Sequence, residues 1–220
     1  MKSSDDAWRT ITRRSLIRQV LGFWPLLGLP GSVLFPQTVH AGAQVEEPLI
    51  DSVRTALSSA IANDAPPLPE FLDTESRLVY LRWLGAMSER LKKQKPDFTT
   101  RKEFLQTVWY ESKRAGLEVS LVLGLIQVES NFRKFAVSSA GARGYMQVMP
   151  FWTRVLGNGD ASTLFHLQTN LRFGCVILRH YIERERGDLF MALGRYNGSR
   201  GKAPYPHAVF TAQNKWVFKL

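Results

Sequence analysis

Between Val119 and Ser130 apolar residues occupy most positions (Val119, Leu121, Val122, Leu123, Leu125, Ile126 and Val128). Composition alone would allow a strand, but the length, the flanks and the all-round apolarity predict a helix buried inside a helical domain. Upstream, Leu49, Val53, Ala56, Leu57, Ala60 and Ile61 keep one face apolar and predict a short helix over 46–63. Pro66-Pro67-Leu68-Pro69 then reads as a linker. Leu78, Leu81, Trp83, Leu84 and Met87 predict a long amphipathic helix over 71–95, with the basic Lys92-Lys93-Gln94-Lys95 as a solvated terminus suited to the helix dipole. Thr100 to Glu103 reads as a capping box opening a helix over 101–115, which Gly116 stops. Gly141, Gly144, Pro150, Gly157 and Gly159 mark the middle as loop-rich. Further helices are expected over 151–156, over 170–186 (capped by Thr169 or Asn170 and ended by Gly187) and over 188–195, opened by Asp188. No repeat and no alternating pattern long enough for a sheet interrupts this, so the chain reads as mainly α.

The first forty residues follow a different logic. A basic stretch, Thr12-Arg13-Arg14-Ser15-Leu16-Ile17-Arg18, precedes a weakly apolar run broken by Pro25 and Pro30, and small residues follow at Ala41 and Ala43. These are the parts of an export signal, with cleavage after Ala41 or Ala43, and the paired arginines resemble a bacterial twin-arginine signal. A retained anchor is the alternative. A spanning helix needs about 20 apolar residues, more than this run supplies, so no stable span is expected after processing, and the periplasm is the expected location. The expected organisation is an export signal over 1–43, a helical region over 44–115 and a further domain over 116–220. Whether 44–115 packs with that domain or docks a partner stays open.

Charge narrows the partners. The 29 basic and 19 acidic residues give a formal +10, and an excess of basic residues remains once 1–43 is set aside. That suits polyanionic surroundings such as a cell wall; nucleic acid is not expected, because no compact basic cluster or reading motif accompanies the charge. The single cysteine, Cys175, lies in an apolar helical pattern and reads as a core thiol. His40, His166, His180 and His207 form no metal-ligand spacing, so neither a metal nor a cofactor is expected, and the chain is expected to act as a monomer.

Three short segments carry the chemistry: Glu129-Ser130-Asn131-Phe132, Gly141-Ala142-Arg143-Gly144-Tyr145-Met146-Gln147 and Arg195-Tyr196-Asn197. A lone acid among neutral hydrogen-bonding residues suits a carboxylic acid that keeps its proton near neutrality, since burial disfavours the charged form. Most glycosidases place two carboxylates about the scissile bond. Downstream of Glu129, Glu183 and Glu185 look like a salt-bridged surface, Asp188 like a helix cap, and only Asp160 is loosely placed. A one-acid mechanism fits that absence.

In order and spacing, from Gly116 to Trp216, these segments resemble the soluble lytic transglycosylase (SLT) family of peptidoglycan-cleaving enzymes. The resemblance implies a goose-type-lysozyme-like helical domain with a loop-rich substrate cleft, acting on peptidoglycan glycan strands. It makes Glu129 first the acid on the glycosidic oxygen, then the base on the C6 hydroxyl of the same muramyl residue, leaving a 1,6-anhydro end. A hydrolytic muramidase and a non-catalytic wall-binding protein are the rivals. Ser130 then hydrogen-bonds near the substrate or Glu129, or merely caps its helix. Gly144 lets backbone approach a sugar, or is a plain turn glycine. Met146 and Gln147 contact saccharide, or fill the core and brace the loop. Tyr145 stands where leucine is more usual. Tyr196 can hold the acid's rotamer and Asn197 can bind an acetamido or peptide group, or the two are a core tyrosine and a turn. General wall recycling and wall opening for a secretion or conjugation apparatus remain equally open, as does cleavage at chain ends or within strands.

Overall fold

The computed structural model describes residues 44–49, 51–62, 69 and 71–219. The expected export signal, its cleavage points and most of the proline linker therefore lie outside the described residues. Helices α1 (Asp51–Ala62), α2 (Thr74–Leu91), α3 (Phe98–Arg114), α4 (Val119–Ser130), α5 (Phe151–Leu156), α6 (Leu167–Arg184), α7 (Leu189–Tyr196) and α8 (Pro204–Asn214) follow in order, with a 3-10 turn at Ala161–Phe165. Among the described residues extended structure is limited to isolated antiparallel bridges of Arg143 with Val137 and with Val148, so the mainly α expectation holds. No helix among them is long and apolar enough to cross a membrane.

Several boundaries move for local reasons. Helix α2 ends at Leu91, short of 95: Lys95 precedes Pro96, and a pre-proline residue is pushed out of the helical region. Helix α3 begins three residues early because Asp97, not Thr100, is its cap, and the Asp97 carboxylate accepts from the Thr100 N–H at 2.8 Å. Helix α6 starts at Leu167, ahead of both expected caps, which frees the Asn170 side chain for another task. Asp188 does cap α7, accepting from Met191 N–H at 3.0 Å. Helix α8 and the 3-10 turn have no counterpart in the expected elements.

Helix α4 forms the centre, with Val122, Leu123, Leu125 and Ile126 fully buried. Gly124 sets how closely α8 can lie against it, since a Cβ there would stand 2.6 Å from the backbone nitrogen of Gln213. On the other side α3 and α6 are tied by Glu111 and Arg172, both almost fully buried and 3.0 Å apart. Arg114 also reaches Glu111, at 3.4 Å, so the buried carboxylate is held from two sides. The carbonyls of Ala60 and Ile61, at the C-terminal end of α1, accept from Arg114 and Arg172, which fastens α1 to the same core. Cys175 is buried within α6, as expected.

Candidate active site

Helix α4 stops abruptly after its acid. Asn131 adopts a left-handed conformation (φ 47°) and so does Phe132 (φ 63°), an arrangement that side chains at both positions disfavour. Burial holds it in place: the Phe132 ring packs edge-on to Phe104 and Trp216, and Trp216 Nε1 donates to Gln127 Oε1 at 2.8 Å. Glu129 is thus fixed in the last helical turn, where the dipole opposes a negative charge.

Glu129 is 5% exposed. Burial pushes its carboxyl up to about 8, against the opposing effect of the hydrogen bond that the Tyr205 hydroxyl donates to Oε1 at 2.5 Å. The other oxygen, Oε2, is buried without a hydrogen-bond partner. A neutral acid with one oxygen engaged and its O–H undirected has a proton to give, and the phenol stands ready to stabilise the carboxylate that remains. Tyr205 sits on α8, so the close approach of α8 to α4 that Gly124 permits also brings this phenol to the acid. Tyr205 is not among the site residues expected from the sequence. Its signal was the stripe Tyr205, Val209 and Ala212, at helical spacing behind Pro204 in the first helical position, where proline is favoured.

The glycine-rich loop is built from the inside. Asn170, buried in α6, accepts from Met146 N–H at 2.8 Å and donates to the carbonyls of Arg143 (2.9 Å) and Leu164 (2.8 Å). Gly144 (φ +74°) is required by this clamp: a Cβ would lie 2.4 Å from Asn170 Nδ2. Met146 is fully buried, with its sulfur 2.4 Å from where a Cβ on Gly174 would sit, a position in the core. Gln147, also left-handed (φ 49°), donates to the carbonyls of Gly144 (2.9 Å) and Ala136 (3.1 Å), bracing the loop. Ser130 is 1% exposed and its hydroxyl donates to Tyr145 O at 2.7 Å, which ties the end of α4 to the loop.

Tyr145 and Lys95 form an unexpected pair. The Lys95 ammonium, placed by the sequence on a solvated terminus, is buried, donates to the Tyr145 hydroxyl at 2.8 Å and lies 4.6 Å and 4.9 Å from the Tyr145 and Phe104 ring centres. Burial, with Lys134 nearby, lowers its pKa, while burial pushes the Tyr145 phenol up to about 12. Tyr145 thus gives a buried cation both an acceptor and an aromatic face.

Tyr196 is fully buried and its hydroxyl donates to the Met146 carbonyl at 2.8 Å. The phenol bonded to Glu129 is that of Tyr205, which corrects the role expected of Tyr196. Its neighbour Asn197 is 6% exposed; its Nδ2 donates to Ser199 Oγ at 3.0 Å, and its Oδ1 is buried without a partner. Arg195, just before the pair, is held by Glu47 at 2.6 Å and Glu185 at 2.6 Å. The Glu185 side chain is 8% exposed, held at about 2 by hydrogen bonding from Arg200 and Arg195, and is not the open surface group its sequence context implied. Asp160 caps the 3-10 turn through Ser162 N–H at 2.8 Å. Among the described residues no group of three or more metal-ligating side chains comes together.

Comparison with known proteins adds an independent line. The family model described as Transglycosylase SLT domain matches residues 106–217. The chain is 37% identical over 98 residues to a membrane-bound lytic murein transglycosylase C from Haemophilus ducreyi, covering 44% of this chain and 26% of that protein. It is 49% identical over 49 residues to the protein of that name from Glaesserella parasuis, covering 22% and 14%. A transglycosylase from Enterobacteria phage PRD1 is 32% identical over 101 residues, covering 46% and 37%. In each case the match spans well under half of the relative's own length. An X-ray structure of an inactive mutant of lytic transglycosylase Slt from Pseudomonas aeruginosa aligns with a TM-score of 0.40 at 19% identity, over 64% of this chain and 27% of that one.

Proposed function

The chain belongs to the transglycosylase SLT domain family, and from that premise we propose that it is a lytic transglycosylase of the cell envelope, cleaving the β-1,4 bond between N-acetylmuramic acid and N-acetylglucosamine in peptidoglycan. The observation that carries the reading is Glu129: a buried acid whose burial pushes the carboxyl up to about 8, with one oxygen held by Tyr205 and the other unpartnered. Glu129 gives its proton to the glycosidic oxygen as the bond breaks, while the substrate's own 2-acetamido group supports the cation at the anomeric carbon. The resulting carboxylate, now stabilised by the Tyr205 hydroxyl, removes the proton of the C6 hydroxyl. That oxygen closes on the anomeric carbon, so the sugar ends as a 1,6-anhydro product, Glu129 regains its proton, and no water is consumed.

A group that serves as acid and then as base works best when its pKa lies near the operating pH. Burial and the Tyr205 hydrogen bond pull in opposite directions on Glu129 and leave it there. The unpartnered Oδ1 of Asn197 is an acceptor suited to the N–H of an acetamido or peptide group. Export through the paired Arg13-Arg14 signal would deliver the enzyme to this substrate already folded. Digestion of isolated sacculi by the purified chain tests the reading: soluble fragments should appear with wild type and be nearly absent with Glu129→Gln. No turnover by wild type, or substantial turnover by the variant, would overturn it.

A further inference from the structure

We propose that the loop after Glu129 carries a second binding element, a platform made by Phe135, Phe165, Lys134 and Arg143 that holds the strand beside the acid and reads the carboxylates of its stem peptides; this rests on the peptidoglycan reading above. Phe135 is 71% exposed and Val137 60%, in a largely exposed stretch over 131–140 that leads into the buried segment over 144–148. The Phe135 and Phe165 rings lie 5.9 Å apart, tilted by 48°. A cation sits on each: Lys134 Nζ is 5.2 Å from the Phe135 centre, and the Arg143 guanidinium is 5.6 Å from that of Phe165.

The platform is held firmly. Ala136, next to Phe135, accepts from Gly144 N–H at 2.9 Å and from Gln147 Nε2 at 3.1 Å. Arg143 exchanges backbone hydrogen bonds with Val148 at 2.9 Å and 3.0 Å, and its Nη1 donates to Ala161 O at 2.9 Å. Through Ser130 and Tyr145 the same loop is tied to the helix end that bears Glu129. An exposed phenylalanine in so braced a loop, a few residues from a buried acid, marks a contact surface.

The charges identify what it contacts. Aromatic faces stack on the C–H faces of sugars, which explains the rings but gives no reason for cations. Neither Lys134 nor Arg143 forms an ion pair among the described residues. Asp160, the acid on which Arg143 acts through space, is already engaged as a cap. Peptide stems on muramyl residues carry free carboxylates, which a lysine and a planar guanidinium recognise. The platform therefore favours peptide-bearing strands over bare glycan.

The test compares KM and kcat for the full chain on peptide-bearing strands and on the same strands stripped of peptide by an amidase, with retention on sacculi measured in parallel. Phe135→Ala should raise KM on both substrates about fivefold with little change in kcat, the effect of one lost aromatic contact at tenfold per 1.4 kcal/mol. Lys134→Glu should raise KM on peptide-bearing strands alone, with an unchanged melting temperature. Unchanged KM in both variants, or a Lys134→Glu effect equal on both substrates, would overturn the proposal. So would undisturbed sacculus kinetics alongside lost binding to anionic lipid vesicles, which would assign the patch to a membrane. If wild type turns over neither substrate, the enzymatic reading fails; the platform then stands or falls on whether the two variants lose retention on sacculi.

Discussion

Replacing Glu129 by glutamine should stabilise the protein at neutral pH while it ends turnover. In the unfolded chain the carboxyl titrates at its ordinary 4.5, and in the folded chain burial raises it to about 8. Between these values the folded state keeps a proton that the unfolded state has released. Folding stability contributed by this group is therefore complete below pH 4.5, declines as pH rises through the window, and levels off above about 8. At pH 7 the 2.5 units from 4.5, at about 1.36 kcal/mol each, put the penalty on the order of 3 kcal/mol. Glutamine does not titrate and keeps an acceptor for Tyr205, but its NH2 falls where Oε2 has no partner, returning about 1–2 kcal/mol. A net gain of about 1–2 kcal/mol at pH 7, absent at pH 4, follows from the linkage. Urea denaturation of both proteins at pH 4, 5.5, 7 and 8.5 measures it. A difference between them that does not change with pH would show that Glu129 is not a buried neutral acid, and the reasoning would fail.

Three further outcomes are expected. Tyr205→Phe removes the bond that stabilises the Glu129 carboxylate, so the limb of the pH–rate profile set by Glu129 should move to higher pH and the rate should fall about 10- to 100-fold, as a misplaced catalytic group does; an unshifted profile would remove Tyr205 from the site. Tyr196→Phe leaves the buried Met146 carbonyl unpaired and should cost about 1–3 kcal/mol of stability by urea denaturation, with activity following the loosened loop; an unchanged midpoint would contradict the brace. Exchanging Arg13 and Arg14 for lysine should leave unprocessed precursor in the cytoplasm on cell fractionation, and undiminished export would refute the twin-arginine reading.

The parts of the molecule legible in the sequence are those governed by local chemistry. Helix α4 is a nearly unbroken apolar run, and α7 follows Asp188, so both were found from neighbouring residues alone. Glu129 was legible because a lone acid at the end of an apolar helix is out of place. What could not be read is where side chains go across the fold. Asn170 looks like a helix cap, yet it clamps a loop more than twenty residues away in sequence, and only the packing of α6 against that loop decides between the two. Lys95 belongs by composition to a basic helix end, but Pro96 turns the chain and Tyr145 receives it. Tyr196 and Tyr205 differ by nine positions and both point inward. Which of them reaches Glu129 depends on the α4–α8 approach set at Gly124, a backbone distance that local sequence does not encode.

The central claim is that one acid cleaves the bond without water. Digesting sacculi in water enriched in oxygen-18, followed by mass spectrometry of the muramyl ends, tests it most directly. Anhydro ends carrying no heavy oxygen are the predicted result; reducing ends labelled at the anomeric oxygen as they form would make the enzyme a hydrolase and contradict the mechanism.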